Sequence, residues 1–263
     1  MAEISPQETL ARINEALAAA ASVISLFIPR DMKVEHKSGG RGPVTEADHA
    51  SNRVLHEALV RPGEGWLSEE TVDDLVRLDQ QRVWVVDPLD GTAEFVAGIP
   101  EWCISVAMVE NGRPVAGGIC NPVTGEIFLG ALGAGLTYNG QPAAASTKVG
   151  LAAMVVLSSR SELKRGEWER FRHSGFEIRP MGSVAYKLAL VAAGRADATW
   201  TLTPKNEWDV AAGVALLEAA GGVGRSSANL PLQFNRKSPT IPGLFGCGQN
   251  LARDVADLLH AYV

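Results

Sequence analysis

Two aspartates, Asp87 and Asp90, stand three positions apart with Pro88 between them and a Gly91-Thr92 pair directly behind. The run ahead of them, Val83-Trp84-Val85-Val86, is apolar, β-branched and aromatic, which suits a strand covered on both faces. Carboxylates beside a core cost free energy unless their charge is compensated. A divalent cation is the compensation these residue types suggest, because hard ions such as Mg²⁺ take oxygen ligands from a few carboxylates, water and phosphate. Pro88 is expected to end strand pairing and fix a tight bend. If a helix starts at Gly91, the Gly91 and Thr92 amides face outward at its N-terminus and can cradle a phosphate. A plain Asp-capped turn is the structural alternative for this stretch taken alone.

Further acids lie at the ends of other predicted elements. Ser68-Glu69-Glu70 follows a short strand at Trp66-Leu67, Thr45-Glu46-Ala47-Asp48 opens a helix, and Asp209 sits in the first turn of an apolar helix through Val210, Val214 and Leu217. Each has a structural alternative: Asp48 and Asp209 favour positive helix ends, and Glu69 or Glu70 could be solvated. Element ends are nevertheless where α/β folds place their sites. His36, His49, His56, His173 and His260 show no zinc-like spacing and are read as surface or structural residues. Cys103, Cys120 and Cys247 lack any CxxC spacing, so buried free thiols in a reducing compartment are expected.

The elements that position these residues can be read in turn. Ser5-Pro6-Gln7-Glu8 caps a helix carrying Leu10, Ile13, Leu17 and Ile24, and residues 31–44 read as a mobile loop. Thr45 caps the next helix. From 102 to 131 the pattern turns to β, with Asn111-Gly112 as a hairpin turn. The polar stretch near 139 is the candidate boundary between an N-terminal α+β half, 1–140, and a C-terminal α/β half, 141–263. Beyond it strands and helices alternate: "MVVLSS", helix "ELKRGEWERFRHS", "FEIRP", helix "SVAYKLALVAAG", "ADATWTL", helix "WDVAAGVALLEAAGG" and a last helix "NLARDVADLLHAY". The 263 residues, 46% apolar and 21% charged, can bury a real core. A net charge of −6 argues against a nucleic-acid polymer or an anionic membrane as partner. The N-terminus has no secretion signal and no stretch is long enough to span a bilayer, so a cytoplasmic address is expected.

"VTEAD", "SEE", "DPLDGT" and "EWDVAAGVALLEAAGG", spread in that order from residue 44 to 222, resemble the motifs of the inositol monophosphatase superfamily of metal-dependent, typically lithium-sensitive phosphatases. Within it, "LSEE", Glu94-Phe95 after the Gly-Thr pair and "FNRKSPTIPGLFGC" are similar to bacterial CysQ-type 3'(2'),5'-bisphosphate nucleotidases. The resemblance implies an α/β (α+β) fold, a layered αβαβα sandwich, assembled as a homodimer. It implies that Glu69, Asp87 and the Leu89 carbonyl bind one Mg²⁺, that Asp87, Asp90 and Asp209 bind a second, and that a third, weaker ion leans on Glu69. Asp48 would orient the Thr92 hydroxyl toward a water, Gly91 and Thr92 amides would hold phosphate oxygens, and Gly182-Ser183 would lie near the organic part of the substrate. Lys37-Ser38 resembles the family's flexible segment over the third ion.

A small phosphorylated metabolite is the implied substrate, with 3'-phosphoadenosine 5'-phosphate preferred and inositol monophosphate or a sugar phosphate as alternatives. Position 93 is alanine where CysQ-type sequences carry lysine or arginine. The cations left to meet a second phosphate are Lys187, Lys205 and Arg236, read otherwise as solvated charges. Trp102 and Trp208 could stack on an adenine or simply belong to the core. Two cations roughly 4 Å apart can acidify an attacking water and neutralise the leaving oxygen, so no nucleophilic side chain is needed. The competing classes are a non-catalytic regulatory protein, which would be free to lose carboxylates, and a nucleotide-binding α/β domain, whose GxGxxG or GxxxxGKS turn is missing.

Overall fold

The amphipathic run behind Ser5 folds as helix α1 (Pro6–Ile24), with the Ser5 hydroxyl accepting from the Glu8 amide and Pro6 in the first turn. The structure, a computed structural model, describes residues 5–27, 34–36 and 43–260. Lys37-Ser38 and most of the expected loop lie outside the described residues. Its two described ends pair antiparallel as β1 (Glu35–His36) and β2 (Pro43–Val44). Helix α2 (Glu46–Leu59) follows.

A seven-stranded sheet comes next, built from β3 (Gly65–Ser68), β4 (Arg82–Asp90), β5 (Cys103–Glu110), β6 (Arg113–Asn121), β7 (Glu126–Ala131), β8 (Gly135–Tyr138) and β9 (Gln141–Ala143), in that spatial order. The short helix α3 (Thr92–Ala97) interrupts it after β4. Only β3 and β4 run parallel, and the other neighbours are antiparallel. The alternation of strand side chains explains the unbroken apolar run in β4. Trp84 and Val86 join the cluster under α1 and α2, while Val83 and Val85 join the cluster on the opposite face. Helices press on both faces of β6 through adjacent glycines. A Cβ on Gly118 would stand 2.2 Å from Ile13, and one on Gly117 would stand 2.6 Å from the Ala212 carbonyl oxygen.

The second sheet holds β10 (Val155–Ser159), β11 (Glu177–Met181), β12 (Ala198–Thr201), β14 (Gly222–Ser226) and β16 (Leu244–Gly248), ordered β11-β10-β12-β16-β14. Between its strands lie α4 (Arg160–Lys164), α5 (Val184–Ala192), and α6 (Glu207–Ala219), with β13 (Lys205–Asn206) and β15 (Thr240–Ile241) as a separate pair and α7 (Ala252–His260) at the end. Helices α5 and α6 fill the space between the two sheets. That position explains why every α6 residue from Val210 to Leu217 is buried, leaving no polar face. Val255 and Leu259 of α7 cover the outer face of the second sheet with Val156, Ala198 and Phe245. The order of layers is therefore α1/α2, sheet, α5/α6, sheet, α7: the expected αβαβα sandwich.

Several local expectations differ from what is observed. The helix expected over "ELKRGEWERFRHS" is only α4 followed by a single 3₁₀ turn at Glu169–Phe171, because the chain turns through Gly166 at φ +80°. Strands β8, β9, β14 and β16 are short or glycine-rich and were not expected. The division expected at 140/141 falls inside the β8–β9 hairpin, whose pairing joins Tyr138 to Gln141, and the chain crosses between sheets from Ala143 to Val155. No helix among the described residues is long and apolar enough to cross a membrane.

Candidate active site

Strand β4 does not stop at Pro88. Asp87 pairs with Ser105 and Asp90 with Cys103, so three steps on β4 oppose two on β5, a bulge centred on Pro88-Leu89. The Leu89 amide, freed from the ladder, donates to Asp87 Oδ1 at 3.0 Å. Proline thus shifts the register without ending the strand, and both aspartates stay on the sheet.

Parallel pairing brings the next acid alongside. Ser68 of β3 is opposite Val86 of β4, and the Glu69 amide donates to the Val86 carbonyl at 3.3 Å, which sets Glu69 beside Asp87. From the other side, α6 starts under the same strand end, and Asp209 in its first turn accepts from the Asn206 amide at 2.8 Å. One carboxylate oxygen each from Glu69, Asp87 and Asp209 lies within 4.8 Å of the other two. Burial, then repulsion from Glu69, Asp90 and Asp209, holds the Asp87 carboxyl well above the usual carboxylate range. Burial, followed by repulsion from Asp90 and Glu69, pushes Asp209 up to about 8.

Asp90 stands just outside that trio but close enough to repel both Asp87 and Asp209. Its Oδ2 accepts from the Ser183 hydroxyl at 2.6 Å and from the Ala185 amide at 2.7 Å. Ser183 caps α5 at φ +53°, and its own oxygen accepts from the Tyr186 amide at 3.0 Å. Gly91 adopts φ +100° as the cap of α3, with Trp102 and the Glu101 carbonyl packed where a side chain would go. Thr92 opens α3, and its hydroxyl lies 3.0 Å from Asp48 Oδ1 and 3.2 Å from the Leu89 carbonyl oxygen. The other Asp48 oxygen accepts from the Thr45 amide at 2.8 Å and the Thr45 hydroxyl at 2.6 Å. Desolvation raises the Asp48 carboxyl despite these donors.

The structure therefore gathers Glu69, Asp87 and Asp209, places Asp90 next to them, and joins Asp48 to Thr92. Ser183 is turned inward to Asp90, a contact the sequence gives no sign of. Trp102 is core, edge-on to Phe95 at a ring distance of 5.0 Å. Of the three cations expected at the surface, Lys187 is fully enclosed. It donates to the Ser183 carbonyl at 2.8 Å, and burial lowers its pKa to about 8. Lys205 lies 3.7 Å from Glu162, and Arg236 donates to the Thr240 carbonyl at 3.1 Å. Sequence reading also missed Glu101, which accepts from the Gly182 amide at 2.8 Å and pairs with Arg160. No local spacing marks a pairing between residues 81 and 59 positions apart.

An all-oxygen set of crowded carboxylates, Asp87 buried and Glu69 and Asp209 half-buried, suits a hard divalent cation, whose charge would remove the repulsion that adds to burial in raising Asp87 and Asp209. Fold and site together define a metal-dependent phosphatase. The sequence matches the profile of the Inositol monophosphatase family over residues 6–242, and the chain belongs to that family. It is 37% identical over 194 residues to an inositol-1-monophosphatase of Rhizobium meliloti (strain 1021), covering 69% of this chain and 72% of that protein. Among solved structures, inositol monophosphatase from Anabaena (Nostoc) sp. PCC 7120 superposes with a TM-score of 0.80 at 29% identity, over 97% of this chain and 96% of the other. CysQ from Bacteroides thetaiotaomicron superposes with a TM-score of 0.77 at 26% identity, over 92% and 98%. Members of the family are phosphatases, hydrolases of phosphoric monoesters, and they depend on metal ions.

Proposed function

We propose that this chain is a Mg²⁺-dependent phosphomonoesterase for a small polyol phosphate of the inositol 1-phosphate kind, with Glu69, Asp87, the Leu89 carbonyl, Asp90 and Asp209 as the cation ligands. The observation that carries the reading is the meeting of Glu69, Asp87 and Asp209, drawn from two sheets' worth of chain, within 4.8 Å. Mg²⁺ at such a site supplies Lewis acidity, acidifying a water and neutralising charge on the leaving oxygen.

The chain's own groups do the rest. Asp48 accepts from the Thr92 hydroxyl, which leaves the Thr92 lone pairs to accept a proton from the attacking water. Burial makes Asp48 more basic than an exposed carboxylate, so the proton can pass from water to Thr92 Oγ1 while the Thr92 proton passes to Asp48 Oδ1. The Gly91 and Thr92 amides are assigned to phosphate oxygens, and Gly182 to the organic part of the substrate. Glu94 and Glu101, both beside Gly182, suit the hydroxyl groups of a polyol better than a second phosphate. The name carried by the Rhizobium relative supports the same substrate class.

A second reading, 3'(2'),5'-bisphosphate nucleotidase, keeps the support of the CysQ likeness. It needs a cation for the second phosphate: position 93 and the buried Lys187 offer none, Lys205 is paired with Glu162, and the exposed Arg236 is left of the three named cations. Phosphate release from inositol 1-phosphate and from 3'-phosphoadenosine 5'-phosphate, each with Mg²⁺, with EDTA and with added Li⁺, separates the two. Faster Mg²⁺-dependent release from the inositol ester is expected, and preference for the nucleotide would replace the first reading by the second.

A further inference from the structure

Helix α2 touches the Glu69 arch, the bulge between Asp87 and Asp90 and the start of α3, and it does so from one face. Asp48, Ser51 and Asn52 occupy positions i, i+3 and i+4, which lie together on a helix surface. Asp48 reaches Thr92 at the start of α3. Ser51, completely buried, donates its hydroxyl to the Pro88 carbonyl at 3.0 Å, the middle of the bulge between Asp87 and Asp90. Asn52 grips the arch that holds Glu69 at both ends. Its Oδ1 accepts from the Ser68 hydroxyl at 2.6 Å, and its Nδ2 donates to the Thr71 hydroxyl oxygen at 3.0 Å. Trp66 Nε1 braces the same Thr71 oxygen at 3.1 Å, and the Ser68 oxygen accepts from the Glu70 amide at 3.3 Å.

Geometry of this kind has a physical purpose. A bulge carbonyl taken out of the ladder must find another donor when buried, and Ser51 is that donor. A turn bearing a glutamate among mutually repelling carboxylates would move outward unless held, and the Asn52 carboxamide ties both flanks of Glu69 to a rigid helix. We infer that Ser51 and Asn52 are positioning residues that preset the carboxylates for a divalent cation, acting through the Pro88 carbonyl and the Ser68–Thr71 arch. The inference rests on the metal reading above. Neither side chain need touch a cation or the substrate.

The test is Mn²⁺ titration of the metal-free protein, followed by electron paramagnetic resonance, beside melting curves of the same samples. Ser51→Ala and Asn52→Ala are each expected to weaken Mn²⁺ binding about 10-fold, the usual effect of removing a partner that orients a ligand. Leu55→Val, on the core face of the same helix, is expected to lower the melting temperature while leaving Mn²⁺ affinity unchanged. Asn52 is only half-buried, so Asn52→Ala is expected to fold and to carry the test even where Ser51→Ala does not fold. Wild-type affinity in both Ser51→Ala and Asn52→Ala, or an equal loss in Leu55→Val, would overturn the inference alone. A wild-type protein that binds no Mn²⁺ would overturn it together with the metal reading.

Discussion

The Ser183 hydroxyl donates to Asp90 Oδ2 at 2.6 Å, tying the start of α5 to the end of β4. The same oxygen also takes the Ala185 amide at 2.7 Å, so one face of Asp90 is fixed by the second half of the chain. Removing the hydroxyl has two separable consequences. Ser183→Ala loses a helix cap, worth about 1 kcal/mol of stability. It also frees Asp90 to rotate, and about a 10-fold loss of kcat/KM is expected, measured as phosphate release at fixed Mg²⁺.

Thr92 and Asp48 form the proposed proton path, and the two can be told apart by shape and by charge. Thr92→Val removes the hydroxyl and with it a donor to the buried Asp48 carboxylate, so kcat is expected to fall about 100-fold or more, with a smaller loss of melting temperature. Thr92→Ser is expected to retain most of the activity. Asp48→Asn replaces one of two acceptor oxygens by a donor. Turned toward Thr92, that donor reverses the hydrogen bond onto Thr92 Oγ1 and removes the proton acceptor, so the rate is expected to drop while the Thr45 pair persists. Equal activity of the valine and serine variants would remove Thr92 from the reaction.

Crowded carboxylates make the metal-free protein sensitive to pH. Asp209 titrates at about 8 in the fold against an ordinary value of 3.8, so the folded state keeps a proton that the unfolded chain has lost. Stability of the metal-free protein is thus expected to fall as pH rises from about 4 through about 8, and Mg²⁺ should restore it. Asp209→Asn removes the charge and keeps an acceptor for the Asn206 amide. In EDTA at pH 8 that variant is expected to melt above wild type, and Mg²⁺ should raise its melting point far less. A metal-free melting temperature that climbs with pH in wild type would contradict the placement of these acids.

How much of this could be read before any coordinates followed from the range of each interaction. The β4 run, the Asn111-Gly112 hairpin and the apolar α6 are encoded by neighbours in sequence, and all three are observed. Acids marking element ends were legible for the same reason. The inward turn of Ser183, the enclosure of Lys187 and the Glu101–Arg160 pair depend on how two sheets meet across α5, which no local pattern records. Pro88 misled because a bulge, unlike a plain turn, lets pairing resume at Asp90. Gly166 misled in the opposite direction, closing after five residues a helix whose composition favours a longer one.

The central claim is that Glu69, Asp87 and Asp209, with Asp90 beside them, meet in order to hold divalent cations. Crystals of this protein grown with Mn²⁺ and read at the manganese absorption edge test it most directly. The account expects anomalous peaks about 2–2.3 Å from carboxylate oxygens, one beside Glu69 and Asp87 and one beside Asp87, Asp90 and Asp209. An empty map between those carboxylates, from protein that still releases phosphate, would contradict it.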